Sequence, residues 1–299
     1  MSRTIFEHSS EGRRGVTLPP REIDTPLEQL IPAKHHRKDT ARLPEVSELD
    51  VMRHYIELSH KNHFIEKGLY PLGSCTMKYN PKVHESLVRH TCFANLHPYQ
   101  PESTLQGALE LMYELQQDLA EISGMAKVTL QPVAGAQGEF TGIKIISAYH
   151  KAKGNSHKTK IIIPDSAHGT NPATCNLVGF DVVELKSDAN GRCDIARLKE
   201  IVDENTAGFM LTNPNTLGLF ETQIEQIAEI IHSVDALIYM DGANLNALLG
   251  IVQPGKIGFD VMHFNLHKTF ATPHGGGGPG AGPVGVSEKL IPYLPVPMV

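Results

Sequence analysis

Paired cysteines are missing from this sequence. Its four cysteines are widely scattered and none stands in a Cys-x-x-Cys pair; they are Cys75, Cys92, Cys175 and Cys193. Structural zinc sites and the disulfide frameworks of small secreted domains use closely or regularly spaced cysteines. We therefore expect reduced thiols, as in a cytoplasmic protein, and no metal site.

Long apolar runs and an excess of positive charge are also missing. No run approaches the roughly 20 apolar residues that a bilayer-spanning helix needs. The N-terminal stretch MSRTIFEHSSEGRRG lacks the apolar centre of a secretory signal. The 299 residues include 27 Lys and Arg against 33 Asp and Glu. The chain therefore lacks the excess of positive charge that is typical of proteins that bind nucleic acids. We expect neither a membrane nor a nucleic acid as a partner.

The first part of the chain, residues 1–100, has weak periodicity. It begins as an arm rich in Pro, Arg and Glu and continues in a helical stretch over residues 46–65. A loop dense in Gly, Ser, Thr, Asn and Pro follows over residues 70–81. We expect this part to be an N-terminal arm with a helical and loop segment.

The second part, residues 101–299, alternates short apolar runs with helical patterns. An amphipathic helix is predicted over residues 103–123, with Ser103 or Thr104 as its cap. Strands are predicted over residues 126–131, 160–164, 180–185, 208–212, 236–240 and 261–265, and helices over residues 140–153, 195–204 and 221–234. Apolar runs of about five residues between helices predict a large α/β domain whose central sheet is mostly parallel and flanked by helices.

Polar residues that directly follow the apolar runs mark the expected site. Ligands of open parallel sheets bind outside the carboxyl ends of the strands. The segments at these ends carry acids, histidines, amides and one lysine; they are Asp165–Thr170, Asn213–Asn215, Asp241–Asn244 and Asn265–Thr269. The functional residues are therefore expected to converge at this edge of the sheet.

Two glycine-containing segments compete as phosphate sites. The tract over residues 275–280 fits the pattern GxGxxG, but Pro283 and Gly285 prevent the helix that a dinucleotide fingerprint needs, and no GK[ST] follows. The segment AGAQGEF is the better candidate, because Gly135, Ala136, Gln137 and Gly138 stand between a predicted strand and a helix, where free backbone N–H groups can face an anion. Taken alone this is weak evidence, since plain strand-to-helix turns use the same residues.

Lys268 and Asp241 follow two of the buried strands. Burial beside a crevice would lower the pKa of a lysine and make it an amine nucleophile, although most lysines extend to solvent. Asp241 is either a helix cap or a carboxylate that holds a cationic ring nitrogen. An anion site, a lysine and a strand-end acid are together what pyridoxal 5'-phosphate requires. His168 is then a candidate to stack on one face of the ring, and Ala243 is small enough to lie against the other.

Five separated motifs resemble one known family. They are PLGSCTMKYNP, AGAQGEF, DSAHGTNPA, MDGANLNA and FNLHKTF with the following PHGGGGPG, in that order, over roughly residues 45–299. They resemble the glycine cleavage system P-proteins, in particular the second subunit of the two-subunit bacterial form. The resemblance implies a fold-type-I transferase dependent on pyridoxal phosphate, with an aspartate-aminotransferase-like architecture. It also implies that Lys268 is the Schiff-base lysine, Asp241 the pyridinium partner, and His168 and Ala243 the residues on either side of the ring.

The resemblance further implies a reaction and its partners. Glycine would lose carbon dioxide, and the aminomethyl group would pass to the lipoyl arm of H-protein, as in a glycine dehydrogenase (aminomethyl-transferring). P-protein subunit 1 would be the partner chain, in a heterotetramer with two copies of each subunit. Candidate catalytic residues are Lys268, His168 and His267, with Lys268 and either His267 or His97 as the proton carriers. Candidates for substrate contacts are Ser74, Thr76, Asn95 and His97. Because members of the family usually continue beyond LIPYLPVPMV, we expect a small C-terminal domain to be missing from this chain.

Two other functions stay open. One is a different fold-type-I reaction, such as desulfuration or transamination. Desulfuration is the less favoured of the two, because no cysteine stands in an obvious nucleophile loop. The other is a non-catalytic or incomplete assembly subunit of the same complex. Lys268 speaks against that alternative, because a purely structural subunit has no chemical need for it, whereas a shortened chain favours it.

Overall fold

The computed structural model describes residues 3–20, 22, 24–68, 78–272 and 280–299. The chain divides into two compact units, Met1–Pro71 and Leu72–Val299. The functional division into residues 1–100 and 101–299 stays a prediction. None of the helices in the described ranges is both long and apolar enough to cross a membrane.

The described part of the first unit contains two α-helices. They are α1 (Leu27–Leu30) and α2 (Glu48–Lys61), and short 3-10 helices span Ile5–His8 and Ala33–His35. A capping box starts α2: the Ser47 hydroxyl accepts from the Asp50 amide, and the Asp50 carboxylate accepts from the Ser47 amide. The helix predicted over residues 46–65 is confirmed, within shorter bounds.

Seven strands of the second unit form one sheet. They are β1 (Lys127–Thr129), β2 (Lys160–Pro164), β3 (Asp181–Leu185), β4 (Thr206–Thr212), β5 (Leu237–Gly242), β6 (Val261–Phe264) and β7 (Val284–Val286). Their order across the sheet is β1-β7-β6-β5-β4-β2-β3. The five strands from β6 to β3 are parallel, and β7 runs antiparallel to both β6 and β1. The prediction of a mostly parallel sheet is confirmed.

Helices cover both faces of this sheet. Within the second unit they are α3 (Val83–Val88), α4 (Thr91–Ala94), α5 (Gln106–Ser123), α6 (Gly135–Ala152), α7 (Thr170–Val178), α8 (Ile195–Ile201), α9 (Ile224–His232) and α10 (Leu266–Thr269), and 3-10 helices span Glu102–Thr104, Pro254–Ile257 and Glu288–Tyr293. Because successive strand residues point to opposite faces, Phe209 packs into the core with α5, α8 and α9. Met210 packs into the core with α6 and α7. Gly142 lets α6 approach β5, since a Cβ there would overlap the ring of Tyr239.

Three local predictions are wrong. Helix α5 begins at Gln106 with Leu105 at its N-cap and no side-chain cap bond. Ser103 and Thr104 lie in the preceding 3-10 turn, where the Thr104 hydroxyl donates to the carbonyl of Pro101 instead. Helix α6 begins at residue 135 rather than 140, so the glycines of AGAQGEF form its first turn and not a separate loop.

Helix α7 and strand β7 are among the elements that the sequence did not predict. Helix α7 lies in a segment where the sequence predicts only polar residues beyond the end of a strand; Pro172 is its third residue, where a missing N–H costs no intrahelical bond. Strand β7 has only three residues, Val284–Val286, with glycine at its centre, and pairs on both sides. Its apolar run is too short to be recognised as a strand by periodicity.

Candidate functional site

A pocket of about 610 Å³ lies at the carboxyl ends of β4, β5 and β6 and at the start of α6. Most of its lining residues have polar side chains, and the described lining residues are Gly135, Ala136, Glu139, His168, Thr170, Thr212, Pro214, Asn215, Thr216, Asp241, Ala243, Asn244, Asn246, Ala247, His263, Asn265 and Lys268. Six residues singled out from the sequence are among them: Gly135, Ala136, His168, Asp241, Ala243 and Lys268. The predicted edge of the sheet is thus where the pocket forms.

Asp241 lies at the floor of the pocket. It belongs to β5 itself rather than to the loop after it, and it is only 6% exposed. Its Oδ1 accepts from the backbone amide of Ala243 at 3.0 Å and lies 3.4 Å from Nε2 of His263. Its Oδ2 accepts from Nδ2 of Asn171 at 3.1 Å. Two donors, the Ala243 amide and the Asn171 side chain, therefore hold this buried carboxylate in place beside the His263 ring.

The charges at the floor belong to Asp241 rather than to His263. Burial alone would raise the pKa of Asp241, but the hydrogen bonds from the Ala243 amide and Asn171 and the charge of Lys268 lower it. Burial lowers the pKa of His263. The neutral ring contacts the Tyr239 hydroxyl through Nδ1 at 2.6 Å. Since Nε2 faces a carboxylate, it carries the ring proton and Nδ1 accepts from Tyr239.

Lys268 follows β6 on the single-turn helix α10. Asn265 precedes this helix, and its carbonyl accepts from the Lys268 amide at 2.9 Å. The Lys268 side chain is half-buried and lines the pocket. On either side of it along the chain, the carbonyls of His267 and Thr272 both accept from Nζ of Lys78. The backbone that carries the lysine is therefore held at two points.

The start of α6 forms one wall of the pocket. The amides of Gln137 and Gly138 both donate to the Ala134 carbonyl, while Gly135 and Ala136 line the pocket. The first N–H groups of a helix have no acceptor within it and face outward from its end. A Cβ at Gly135 would overlap the side-chain amide of Asn265, so glycine lets these two elements meet at the pocket.

Glu139 is a pocket residue that the sequence analysis missed. It is 2% exposed, and its Oε1 makes no hydrogen bond among the described residues. Burial raises its pKa to about 7, with a further rise from the charge of Asp241 and opposing effects from Thr174 and Thr170. An ionisable oxygen of Glu139, one of Asp241 and a ring nitrogen of His263 all lie within 4.8 Å of one another.

Two features of the sequence could have pointed to Glu139 and His263 as site residues. Glu139 stands four residues after Gly135, so the two share a helix face, but only if α6 already starts at Gly135. His263 is a polar residue inside the apolar run of β6. A buried polar side chain in a central strand requires partners, and that rule could have identified it as a site residue.

The other predicted site residues lie elsewhere. Gln137 turns its Oε1 to the Val133 amide, and Nδ1 of His267 accepts from the Ala281 amide. Asn95 ends α4, and His97 is exposed beside Tyr99. None of these four described residues lines the pocket. Ser74, Thr76 and the glycines at 275–278 lie outside the described residues.

Comparison with known proteins gives a family match over most of the chain. Residues 15–299 match the family model described as "Glycine cleavage system P-protein". A probable glycine dehydrogenase (decarboxylating) subunit 2 of Halalkalibacterium halodurans is 60% identical over 296 residues, which are 99% of this chain and 61% of that protein. The protein of the same description from Alkaliphilus oremlandii is 56% identical over 100% of this chain and 62% of its own length. The chain thus spans about 60% of the length of these curated relatives.

Solved structures share the fold at low sequence identity. An inhibitor-bound glycine decarboxylase (P-protein) of the glycine cleavage system superposes with a TM-score of 0.70 at 24% identity, over 90% of this chain and 59% of that one. An aromatic aminotransferase from Pyrococcus horikoshii OT3 superposes with a TM-score of 0.55 at 18% identity, over 74% of this chain and 60% of that one. The predicted fold-type-I, aspartate-aminotransferase-like architecture is confirmed.

Proposed function

The chain belongs to the glycine cleavage system P-protein family, and from this premise we propose that it binds pyridoxal 5'-phosphate at Lys268 and takes part in the decarboxylation of glycine. One observation carries the proposal: Lys268, Asp241, His168 and the start of α6 all line the same pocket. Each supplies a different group that this cofactor needs.

The donor set of the pocket fits the cofactor. Asp241 is a buried carboxylate whose pKa is lowered, while His263, the titratable group next to it, is held neutral by burial. A buried negative charge of this kind is stabilised by a cationic partner, such as a protonated ring nitrogen. Asn265 Oδ1 and Thr212 Oγ1 are buried pocket atoms without a partner among the described residues, so the wall also offers polar contacts to a ligand.

The start of α6 is the proposed phosphate site. Backbone N–H groups at a helix N-terminus, together with the positive end of its dipole, favour an anion. Gly135 and Ala136 line the pocket and would contribute these N–H groups. Gln137 does not line the pocket, and it belongs to the proposed phosphate site only as a residue of the same helical turn. His168 and Ala243, both pocket residues, would lie on opposite faces of the ring.

When bound, the cofactor supplies an electron sink for the bond that is broken at the α-carbon of glycine. Asp241 would keep its negative charge beside the ring nitrogen, because the Ala243 amide and Asn171 donate to it. Lys268 would hold the cofactor as an amine nucleophile. Its Nζ would also hold or release a proton near the reacting carbon, which is the role proposed for it in catalysis.

The substrate and partners belong to the same proposal. The aminomethyl group would pass to the lipoyl arm of H-protein, and P-protein subunit 1 would complete the assembly. The description of the relatives as "subunit 2" supports a partner subunit. The predicted substrate contacts of Ser74, Thr76, Asn95 and His97, the role of His267 and the cytoplasmic location stay predictions.

An isotope-exchange assay tests this function. The chain is mixed with subunit 1, lipoylated H-protein and pyridoxal phosphate, and labelled bicarbonate is followed into glycine. We expect exchange with the complete mixture, little with the chain alone, and none with K268A in the mixture. The exposed Lys256 does not line the pocket, so K256A is the matched control and should exchange normally. Equal exchange by K268A would mean that the chain serves assembly rather than chemistry.

A further inference from the structure

Two carboxyl groups share the floor of the pocket. Glu139 on α6 and Asp241 on β5 are both more than nine-tenths buried, and their oxygens lie within 4.8 Å of each other. Two buried carboxylates at such a distance do not both ionise readily, because like charges in a region of low dielectric raise each other's energy. Asp241 accepts two hydrogen bonds and lies beside the His263 ring, whereas Oε1 of Glu139 has no partner among the described residues. The negative charge therefore belongs on Asp241.

The contacts of Thr170 indicate where the proton is. Oγ1 of Thr170 lies 3.0 Å from Oε2 of Glu139 and 2.8 Å from Nδ1 of His168. The Thr170 amide also donates to this Nδ1, at 3.2 Å. A ring nitrogen that accepts from an amide carries no hydrogen of its own. The hydroxyl hydrogen of Thr170 must therefore lie toward His168.

The remaining contact then needs a hydrogen from Glu139. The Thr170 hydroxyl has one hydrogen, so it can donate either to Oε2 of Glu139 at 3.0 Å or to Nδ1 of His168 at 2.8 Å, but not to both. With that hydrogen directed at His168, a protonated Glu139 supplies the second hydrogen. If Glu139 were ionised, the hydroxyl would donate to it, and Nδ1 of His168 would have to carry a hydrogen of its own although the Thr170 amide donates to that nitrogen at 3.2 Å.

We propose that Glu139 is a positioning residue that holds a proton while Asp241 holds the negative charge, and that through the Thr170 hydroxyl this acid fixes the His168 ring against the cofactor. The part that concerns the cofactor rests on the proposed function. The proton on Glu139 does not, because it follows from contacts within the chain. Glu139 acts through Thr170 and contributes no group to the reacting atoms.

The electrostatic surroundings support this assignment. The titratable groups that face Glu139 are Asp241 and Tyr239 from β5, His263 from β6 and Cys175 from α7. Burial raises the pKa of Cys175 to about 12 and raises that of Tyr239 far above its usual range, so both stay neutral. With His263 also neutral, the lysine of the pocket is Lys268 from α10, and its charge lowers the pKa of Asp241. Burial raises the pKa of Glu139 itself to about 7.

Infrared spectroscopy of the cofactor-free chain tests the proton directly. A protonated carboxylic acid has its own carbonyl stretching band, and we expect one in the wild type at about pH 6 that fades on titration toward about pH 8. E139Q keeps a neutral side chain that can donate to Thr170, and it should lack this band. The exposed Glu229 on α9 provides the control E229Q, which should retain it. An identical spectrum for wild type and E139Q at about pH 6 would overturn the proposal.

Cofactor binding tests the consequence for the pocket. For a group with a pKa of about 7 that must be protonated for binding, the dissociation constant rises about tenfold between pH 6 and pH 8. Between pH 6 and pH 8, the dissociation constant of pyridoxal phosphate for the wild type, divided by that for E139Q, should therefore rise about tenfold. T170V breaks the link to His168, so it should keep the infrared band and bind the cofactor more weakly than the wild type. A constant ratio, or unchanged binding by T170V, would refute the positioning role.

The two experiments separate this inference from the proposed function. If no variant and no wild type binds pyridoxal phosphate, the proposed function fails, and the infrared band still decides whether Glu139 carries a proton. If the wild type binds the cofactor but lacks the band, the function stands and the inference fails. Circular dichroism of each variant confirms that the comparison is made between folded proteins.

Discussion

Replacing Asp241 by asparagine separates the charge of this residue from its shape. Asparagine has the same size, and the present contacts can still be accommodated. In D241N the side-chain oxygen would accept from the Ala243 amide and lie beside His263. The new amide group would face Asn171, whose own Oδ1 is buried and without a partner among the described residues. A flip of the Asn171 amide turns that oxygen toward the new donor.

The fold should therefore tolerate this substitution. Every present contact of Asp241 is retained in D241N, and the cost of burying a charge is removed. We expect a free energy of unfolding within about 1 kcal/mol of the wild type, measured by urea denaturation without cofactor. D181N is the matched control, because Asp181 is an exposed acid at the opposite end of the parallel strands.

Cofactor affinity should fall sharply in the same variant. A hydrogen bond to a charged group contributes about 1.5–3 kcal/mol. Since about 1.4 kcal/mol is a factor of ten, the dissociation constant of pyridoxal phosphate should rise about 10- to 150-fold. Absorbance or fluorescence titration of the cofactor measures it. An unchanged dissociation constant in a folded D241N would refute the assignment of Asp241 to the ring nitrogen; D181N should bind normally.

Three further substitutions probe the pocket and its supports. The pKa of Glu139 rises from 4.5 in the unfolded chain to about 7 in the folded chain, so the free energy of unfolding of the wild type falls as pH increases through this window. Urea denaturation should show E139Q to be more stable than the wild type by up to about 3 kcal/mol at about pH 8, and equally stable below about pH 4.5. G142A places a Cβ against the Tyr239 ring and should lower the free energy of unfolding by about 1–3 kcal/mol; an unchanged melting temperature would contradict this packing. K78M removes the donor to the carbonyls that flank Lys268 and should raise the cofactor dissociation constant about fivefold, for a loss of about 1 kcal/mol; equal binding would show that Lys78 does not position Lys268.

Four of the predicted site residues that line the pocket follow a single rule. Lys268, Asp241 and Ala243 come at the carboxyl ends of apolar runs, and the geometry of a parallel sheet brings such ends together. His168 follows β2 in the same way. Local pattern is enough for these residues because their position depends only on where a strand ends.

Glu139 and Asn171 could not be found by that rule. Each lies within a helix whose first turn has no recognisable helical pattern, since glycine and proline there hide the periodicity. Their roles arise from partners far apart in sequence, Asn171 with Asp241 and Glu139 with Thr170. Such contacts are set by how α6 and α7 pack on the sheet, which no local pattern encodes.

Chemical trapping of the cofactor tests the central claim most directly. The purified chain is incubated with pyridoxal phosphate, reduced with borohydride, digested and mapped by mass spectrometry. The pocket geometry predicts a single modified residue, Lys268, and loss of the modification in K268A but not in K256A. Modification of a different lysine, or none in a folded protein, would contradict the assignment of this pocket to pyridoxal phosphate.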